Sequence, residues 1–294
     1  MDLRDSWCGF IMRILRAENA GFCFGVKRAM KLASEAAANS TKPIYSLGPL
    51  IHNPQQVRFL AQRGVHVVSD LDLLGPGDTL IIRSHGTSPA FLEEAKAKNL
   101  TIVDATCPFV VKAQRLAQRL AAEGYQVVIV GEGDHPEVIG IMGFAGNEAR
   151  VVEKASDARD LPTEPRVGIV AQTTQSLDNL RKVVCALLEK SSELKVFNTI
   201  CHATTHRQEA ALDIAKKVDL MIVIGGYNSA NTSRLASLCA QSGVPTRHIE
   251  TADELEAPWL EGIAAVGVTA GASTPEWIIE DVVDRLEALD GKNS

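Results

Sequence analysis

The chain has 294 residues, which is long for a single hydrophobic core and predicts two or three domains. Its hydrophobic fraction of 46% and its charged fraction of 22% are those of an ordinary soluble protein. The formal net charge of -6 argues against nucleic acid as the main partner, because binding to a phosphate backbone needs concentrated lysine and arginine.

Signals for a membrane or an export pathway are absent from the sequence pattern. No apolar run approaches the roughly 20 residues that a membrane-spanning helix needs. The first residues lack the charged-then-apolar pattern of a signal peptide, so we expect a cytoplasmic protein with no membrane partner. Residues 1–11 are expected to form a short extension before a folded part that starts at Met12.

One pattern recurs three times along the chain: a short predicted strand, a cysteine and the start of a predicted helix. The cysteines are Cys23, Cys107 and Cys201, and a polar turn follows them after 29, 28 and 28 residues. A second polar turn follows a later apolar run in each copy. This near-constant spacing indicates an internal repeat.

The polar turns differ in composition between the three copies. In chain order the first turns are His52-Asn53-Pro54, His135-Pro136-Glu137 and Ser229-Ala230-Asn231, and the second turns are Ser84-His85-Gly86, Gln172-Thr173-Thr174 and Ala272-Ser273-Thr274.

The repeat predicts an α/β fold of three similar units with small, mostly parallel sheets. We expect the units to span residues 12–100, 101–194 and 195–294, the third with a C-terminal helix, in a pseudo-threefold arrangement. Parallel sheets place such turns at the carboxyl ends of their strands, where ligands bind.

Of the six cysteines, Cys8 lies in the expected extension and the other five fall into two groups. In a cytosolic chain, thiols, metal ligands or core residues are more typical than disulfides. Cys185 and Cys239 lie on apolar helical patterns and are predicted to be core residues. The repeated cysteines, Cys23, Cys107 and Cys201, precede predicted helix starts, where the helix dipole favours a thiolate.

Taken as equivalent positions of a repeat, the three cysteines favour a shared metal group. A closed zinc site takes four ligands and usually short cysteine pairs. An iron–sulfur cube held by three cysteines leaves one iron without a protein thiolate, and that iron can accept a substrate oxygen as a Lewis acid does.

The polar turns supply imidazoles, hydroxyls and an amide, but no lysine or arginine. Such a set suits a small, highly charged oxyanion such as a diphosphate, helped by backbone N–H groups at the helix starts. The candidate residues are His52, His85, His135, Thr173, Ser229, Asn231 and Ser273. Each turn also has a structural interpretation, as a helix cap or as a satisfied structural histidine.

Glu137 is the only carboxylate among these motif positions. Held out of bulk water, it would serve as a proton donor, with Thr173 as a relay. Its structural alternative is an acidic first-turn residue that stabilises a helix N-terminus.

Six motifs together closely resemble the 4-hydroxy-3-methylbut-2-enyl diphosphate reductase family, over a range from about Met12 to Leu289. They are Gly21-Phe22-Cys23-Phe24-Gly25-Val26, Asp104-Ala105-Thr106-Cys107-Pro108, Gly133-Asp134-His135-Pro136-Glu137-Val138, Gln172-Thr173-Thr174, Ile200-Cys201-His202-Ala203-Thr204-Thr205-His206-Arg207-Gln208-Glu209-Ala210 and Val268-Thr269-Ala270-Gly271-Ala272-Ser273.

The resemblance implies reductive dehydroxylation of an allylic alcohol diphosphate to isopentenyl and dimethylallyl diphosphates, the last step of the non-mevalonate isoprenoid pathway. It implies a central 4Fe–4S cluster on the three repeated cysteines with one open iron, which can be isolated in a 3Fe–4S form, and an external electron donor such as ferredoxin or flavodoxin. The implied catalytic residues are Glu137, Thr173 and His135. The implied substrate-binding residues are His52, His85, His135, Thr173, Ser229, Asn231 and Ser273.

The sequence departs from a frequent form of the family pattern at Ala230, where many members have a second serine. We expect little loss, because Ser229 and Asn231 remain. Two other classes stay open: a zinc hydrolase of a phosphorylated metabolite, and a non-catalytic protein that binds a phosphorylated metabolite and buries the cysteines as structure.

Overall fold

A computed structural model describes residues 12–146 and 148–293. The expected extension, residues 1–11, lies outside the described residues. The described strands, in chain order, are β1 (Arg13–Arg16), β2 (Ile44–Leu47), β3 (Val65–Val68), β4 (Thr79–Ile82), β5 (Thr101–Asp104), β6 (Gln126–Val130), β7 (Arg150–Val152), β8 (Arg166–Ala171), β9 (Glu193–Val196), β10 (Leu220–Ile224), β11 (Thr246–Ile249) and β12 (Ala265–Ala270).

α-Helices lie between most consecutive strands, as crossovers between parallel strands require. Only short 3-10 helices lie between β3 and β4 and between β11 and β12. They are α1 (Phe24–Asn39), α2 (Pro54–Ala61), α3 (Pro89–Ala97), α4 (Pro108–Ala122), α5 (Pro136–Ala145), α6 (Ala155–Asp160), α7 (Leu177–Leu188), α8 (His202–Ala215), α9 (Ala230–Gln241) and α10 (Glu276–Asn293).

Helix α4 illustrates how the sequence specifies these elements. Cys107 is its N-cap residue and Pro108 its first residue, where the missing N–H of proline costs nothing. Gly124 lies just beyond its C-terminal end with a φ of 79°, which glycine adopts freely. Its buried face has the spacing of an amphipathic helix and consists of Val110, Ala113, Gln114, Ala117 and Leu120.

The chain divides into two compact bodies. The central body comprises Cys23–Thr205, and the terminal body comprises Met1–Phe22 together with His206–Ser294. The described part of each body is built from four-stranded sheets in which the paired strands run parallel.

The central body contains two sheets of the same topology. Their strand orders are β3-β2-β4-β5 and β7-β6-β8-β9, with every described pair parallel. In both sheets the strand that precedes a repeated cysteine, β5 before Cys107 and β9 before Cys201, is an edge strand. The inner strands carry the apolar core, as the buried run of β8 shows.

The terminal body contains one sheet with the order β1-β12-β10-β11, again parallel throughout. Strand β1 pairs with β12, in register from Arg13 with Ala265 to Arg16 with Val268. The strand that precedes Cys23 in sequence is thus the edge strand of a sheet whose other members come from the C-terminal third of the chain.

Three α/β units with small parallel sheets confirm the predicted fold class. The sheets nevertheless do not coincide with the predicted units. The strand just before each repeated cysteine pairs with strands of the preceding repeat, not with strands of its own repeat. The boundary at 100/101 separates β5 from β4, and the boundary at 194/195 falls inside β9. The division into domains at those positions, and the pseudo-threefold arrangement, stay predictions.

The predicted core cysteines behave differently from each other. Cys239 is buried, as predicted, whereas Cys185 is exposed, and that prediction was wrong. Helix α7 buries Leu180, Val183, Ala186 and Leu187, so Cys185 falls on the opposite face. Among the described residues, no helix has the length and apolar character needed to cross a membrane.

Gly168 in β8 allows a test of the packing between sheet and helix. A Cβ at this position would lie 2.7 Å from Cδ2 of Leu120, which is fully buried on α4. We expect Gly168→Ala to lower the free energy of unfolding by about 1–3 kcal/mol, because the buried leucine must move. Urea denaturation measures this change.

Gly75→Ala is the matched control, because the nearest atom to its Cβ would be 3.8 Å away. An effect of Gly168→Ala no larger than that of Gly75→Ala would contradict the close packing of β8 against α4.

Candidate active site

The three repeated cysteines are half-buried thiols in the central body. Cys23 and Cys107 are the N-cap residues of α1 and α4. The carbonyl oxygen of Cys201 accepts the N–H groups of Thr204 (2.9 Å) and Thr205 (3.1 Å), so Cys201 likewise starts α8. In all three cases a cysteine lies at the N-terminus of a helix, which is the positive end of the helix dipole.

The thiols lie close enough to influence each other's ionisation. Burial, followed by smaller contributions from the thiols of Cys23 and Cys201, raises the pKa of Cys107 to about 11. Backbone N–H groups of Phe109 and Val110 act in the opposite direction and favour the thiolate. The three sulfur atoms therefore form one group, whose ionised form needs a nearby cation.

Gly25 explains how the sulfur atoms of two cysteines approach each other. A Cβ on Gly25 would lie 2.5 Å from Sγ of Cys107 and 3.9 Å from Sγ of Cys23. Any side chain at this position would displace the Cys107 sulfur. The sequence analysis named Gly25 only as part of a motif. Its position two residues after Cys23 could have indicated a place where a side chain is not tolerated.

Two of the first turns and one of the second turns bring three histidines of the central body together. His52 follows β2, His85 follows β4, and His135 is the N-cap of α5. The ring centroids are separated by 4.5 Å (His52 and His85), 5.6 Å (His52 and His135) and 5.4 Å (His85 and His135). The carboxyl edges of the two central sheets thus meet at this cluster.

The histidine cluster can hold one small ligand. One ring nitrogen from each histidine lies within 4.8 Å of the other two, a geometry open to an anion on protonated rings or to a metal ion on neutral rings. Burial lowers the pKa of His52 and of His135 to about 4, and lowers that of His85 well below its usual range. Without a ligand, the three imidazoles are neutral near pH 7.

Arg83 is a cationic neighbour that the sequence analysis missed. Its charge lowers the pKa of each of the three histidines, so it lies within electrostatic range of the whole cluster. The polar turn Ser84-His85-Gly86 itself contains no arginine, as stated above, but Arg83 immediately precedes it. Arg83 lies between the last residue of β4, Ile82, and this turn, and the sequence analysis did not consider it.

Glu137 and Thr173 form a buried hydrogen-bonded pair. The Glu137 side chain is only 2% exposed in the first turn of α5. The Thr173 backbone N–H donates to Oε1 of Glu137 (2.6 Å), and the Thr173 hydroxyl donates to Oε2 (2.8 Å). Burial raises the pKa of Glu137 to about 7, against the opposing effect of these two hydrogen bonds. A carboxyl group with this pKa can give up a proton near neutrality.

The remaining predicted residues lie in the terminal body. Ser229 is the N-cap of α9, and its hydroxyl oxygen accepts the N–H of Thr232 at 3.4 Å. Asn231 is buried in the first turn of the same helix, and its Nδ2 has no hydrogen-bond partner in the described part of the chain. Ser273 is buried just after β12. All three lie at the carboxyl ends of β10 and β12, the positions that correspond to the histidines of the central sheets.

This geometry defines a class: an α/β protein of three similar parallel-sheet units with a thiol trio, a histidine cluster and a buried acid. The chain matches the family described as LytB protein over residues 14–287, and it belongs to that family.

Relatives with high identity share one name, 4-hydroxy-3-methylbut-2-enyl diphosphate reductase. The protein of Pelobacter propionicus is 52% identical over 282 residues, covering 96% of this chain and 100% of the relative. The protein of Geobacter metallireducens is 54% identical over 279 residues, covering 95% and 98%.

Two solved structures are also similar to this chain. A structure of (E)-4-hydroxy-3-methyl-but-2-enyl diphosphate reductase, described as the terminal enzyme of the non-mevalonate pathway, aligns with a TM-score of 0.70 and 48% identity over 94% of this chain and 99% of that one. The E-1-hydroxy-2-methyl-but-2-enyl-4-diphosphate reductase of Plasmodium falciparum aligns with a TM-score of 0.89 and 33% identity over 93% and 87%. The predicted family is confirmed.

The raised pKa of Glu137 predicts a specific pH dependence of stability. Below about pH 4.5 the carboxyl group is protonated in both the folded and the unfolded chain. Between about 4.5 and about 7 only the folded chain holds the proton, so the free energy of unfolding falls as pH rises. From pH 5 to pH 8 this loss is about 2–3 kcal/mol.

Urea denaturation at pH 5 and pH 8 checks this prediction. We expect Glu137→Gln to remove the Glu137 part of the pH dependence, whereas Glu94→Gln, which changes an exposed carboxylate, leaves it in place. Equal pH dependence in the wild type and in Glu137→Gln would show that Glu137 is not held protonated by the fold.

Proposed function

We propose that this chain is an iron–sulfur oxidoreductase that converts (E)-4-hydroxy-3-methylbut-2-enyl diphosphate to isopentenyl and dimethylallyl diphosphates, the last step of the non-mevalonate pathway. The observation that carries the proposal is the thiol trio, in which Cys107 interacts with both Cys23 and Cys201. It occurs in a chain that matches reductases over almost their full length. A reductive dehydroxylation consumes two electrons and two protons and releases water.

The donor set fits a cluster held by three cysteines. The three half-buried thiols share one environment, and Gly25 leaves space between the sulfur atoms of Cys107 and Cys23 that a Cβ would fill. A 4Fe–4S cluster bound by Cys23, Cys107 and Cys201 would supply electrons one at a time and one Lewis-acidic iron without a protein thiolate. Loss of that iron would leave a 3Fe–4S form.

The residues proposed to bind substrate lie at the carboxyl ends of inner strands. His52, His85 and His135 would hold the diphosphate, with Arg83 contributing positive charge from outside the cluster. Because the three rings are neutral when no ligand is bound, binding of the diphosphate would favour their protonation. The further substrate residues are Thr173, Ser229, Asn231 and Ser273.

Proton delivery is assigned to Glu137 with Thr173 and with His135 nearby in the chain. The Thr173 hydroxyl contacts Oε2 of Glu137 at 2.8 Å. When this oxygen is protonated, it can donate to the Thr173 hydroxyl, whose own proton is then free to turn toward the departing substrate oxygen. The pair is therefore a proton relay with the acid inside the protein and the hydroxyl at its outer end.

An external one-electron donor such as ferredoxin or flavodoxin would reduce the cluster, and a cytoplasmic location stays a prediction. A zinc hydrolase and a non-catalytic binding protein are the alternatives from the sequence. The names of the relatives support a reductase over both. The alternatives also differ in what they require, since neither needs an electron donor.

The function is tested on protein purified without oxygen. Iron and acid-labile sulfide are measured, and the diphosphate substrate is added with dithionite-reduced methyl viologen. We expect about three to four irons per chain, as one 3Fe–4S or 4Fe–4S cluster contains. We also expect both isomeric products to form. A colourless, zinc-containing protein without product formation would overturn the proposal.

Substitution of Cys107 and Gly25 tests the cluster assignment without relying on turnover. We expect Cys107→Ser to lose most of the bound iron, because the alcohol is a poor iron ligand at neutral pH. Gly25→Ala should also lower the iron content, since its Cβ would lie 2.5 Å from Sγ of Cys107. Gly75→Ala is the control. Wild-type iron content in both Cys107→Ser and Gly25→Ala would refute the assignment.

Substitution of Glu137 tests the proton donor. We expect Glu137→Gln to keep the visible absorbance of the cluster and to lower turnover by about 10²–10⁴-fold, the usual contribution of a general acid. Glu94→Gln should behave as the wild type in both measurements. Near wild-type turnover of Glu137→Gln with the viologen donor would assign the proton donor elsewhere.

A further inference from the structure

Two helices of the central body carry an unusual excess of positive charge. Helix α1 contains three basic residues and one acidic residue, and α4 contains three basic residues and no acidic residue. Within the described helices, no other helix has so large a net positive charge. This concentration stands out because the whole chain has a formal net charge of -6.

Both basic helices start at a cysteine of the thiol trio. Cys23 is the N-cap of α1, and Cys107 is the N-cap of α4. The first turns of the two helices are in contact, because the Cβ position of Gly25 falls 2.5 Å from Sγ of Cys107. Arg28 strengthens this contact by donating to the carbonyl oxygens of Thr106 (3.0 Å) and Asp104 (3.3 Å).

Part of the basic charge is already paired. Lys31 lies 3.7 Å from Glu35, and Arg119 lies 2.7 Å from Glu123. The positive charges nearer the cysteines, on Lys27, Lys112 and Arg115, are exposed and have no ion-pair partner in the part of the chain that the structure describes.

These side chains lie close to the thiols. At a rise of about 1.5 Å per residue, the backbone positions of Lys27, Lys112 and Arg115 are about 6, 8 and 12 Å along their helices from the capping cysteine. Phe24, the residue after Cys23, is 62% exposed. Exposed aromatic and arginine side chains are enriched at protein–protein interfaces.

We infer that the surface formed by Phe24, Lys27, Lys112 and Arg115, here called the basic surface, is the docking site of an acidic one-electron carrier protein. The inference rests on the proposed reductase function and identifies where its electrons enter. Each reduced carrier loses one electron to the cluster and departs oxidised. Two carriers supply the two electrons that, with two protons, replace the substrate C–O bond by a C–H bond and release the oxygen as water.

Charge complementarity favours this occupant. An acidic carrier would be repelled by most of a chain of this net charge, so a local positive surface would both attract it and orient it. Orientation matters because the carrier must present its redox centre to the side of the protein where the cysteines lie.

The experiment compares two electron sources on the cluster-loaded protein. A plant-type 2Fe–2S ferredoxin of acidic composition is the protein probe, and dithionite-reduced methyl viologen is the small-molecule donor. In the double variant with Lys112→Glu and Arg115→Glu, we expect the Kd for oxidised ferredoxin, measured by isothermal titration calorimetry, to rise about 10- to 100-fold. We expect kcat/KM for ferredoxin to fall by a similar factor, because electrostatic steering is lost. Turnover with viologen should stay within about twofold of the wild type, because a small cationic donor does not need the docking surface.

The double variant with Arg181→Glu and Lys182→Glu is the matched control. It makes the same change in net charge on exposed positions of α7 in the same body. We expect it to retain ferredoxin kcat/KM, and we expect added salt to weaken ferredoxin turnover more in the control and the wild type than in the α4 double variant.

The outcomes separate the two proposals. If the wild type forms no product even with viologen, the reductase function itself fails. If viologen turnover is normal and the α4 and α7 double variants have the same ferredoxin kcat/KM and salt dependence, the basic surface is not the docking site.

Discussion

The carboxyl ends of parallel strands determine where the functional residues of this protein can lie. In a parallel sheet every strand ends at the same edge, so the residues that follow β2 and β4 become neighbours although 33 residues separate His52 from His85. The second central sheet repeats this arrangement and adds His135 and Thr173 after β6 and β8. The contacts among the histidine rings show that these two edges meet. No single segment of the chain could assemble the same set.

A second constraint is the cost of placing three ionisable thiols together. Burial, together with the neighbouring Cys23 and Cys201, raises the pKa of Cys107 to about 11, so the thiolate is unfavourable there. Helix N-termini lower this cost only in part, because each helix end contributes a partial charge. A bound cation is the remaining way to stabilise three thiolates. The proposed iron–sulfur cluster would supply this positive charge, and Gly25 would leave the sulfur atoms room to bind it.

Much of this arrangement follows from the sequence, and the part that does not has a physical cause. Spacing identified the repeat, the cysteines and the polar turns, because turn residues and strand periodicity are local signals. The pairing of β1 with β12 could not be predicted from spacing, because the residues of a strand do not specify which other strand it pairs with. Exposure of Cys185 was missed because a short apolar run on a helix does not specify its buried face. Arg83 was missed because the electrostatic reach of a charge extends beyond the turn that contains the ligand residues.

The histidines, Glu137 and Cys107 of the central site all shift toward their uncharged forms when no ligand is bound. Burial lowers the pKa of His52 and His135 to about 4 and raises that of Glu137 to about 7 and that of Cys107 to about 11, and each shift favours the uncharged form. The low-dielectric interior thus suppresses charge of either sign. A highly charged anion entering such a site has to be accompanied by protons or by fixed positive charge. Neutral imidazoles can take up those protons as the anion binds, whereas permanently charged lysines in the same place would repel one another in the empty protein. The absence of lysine and arginine from the polar turns therefore agrees with the proposal that this buried site binds a diphosphate and then releases it.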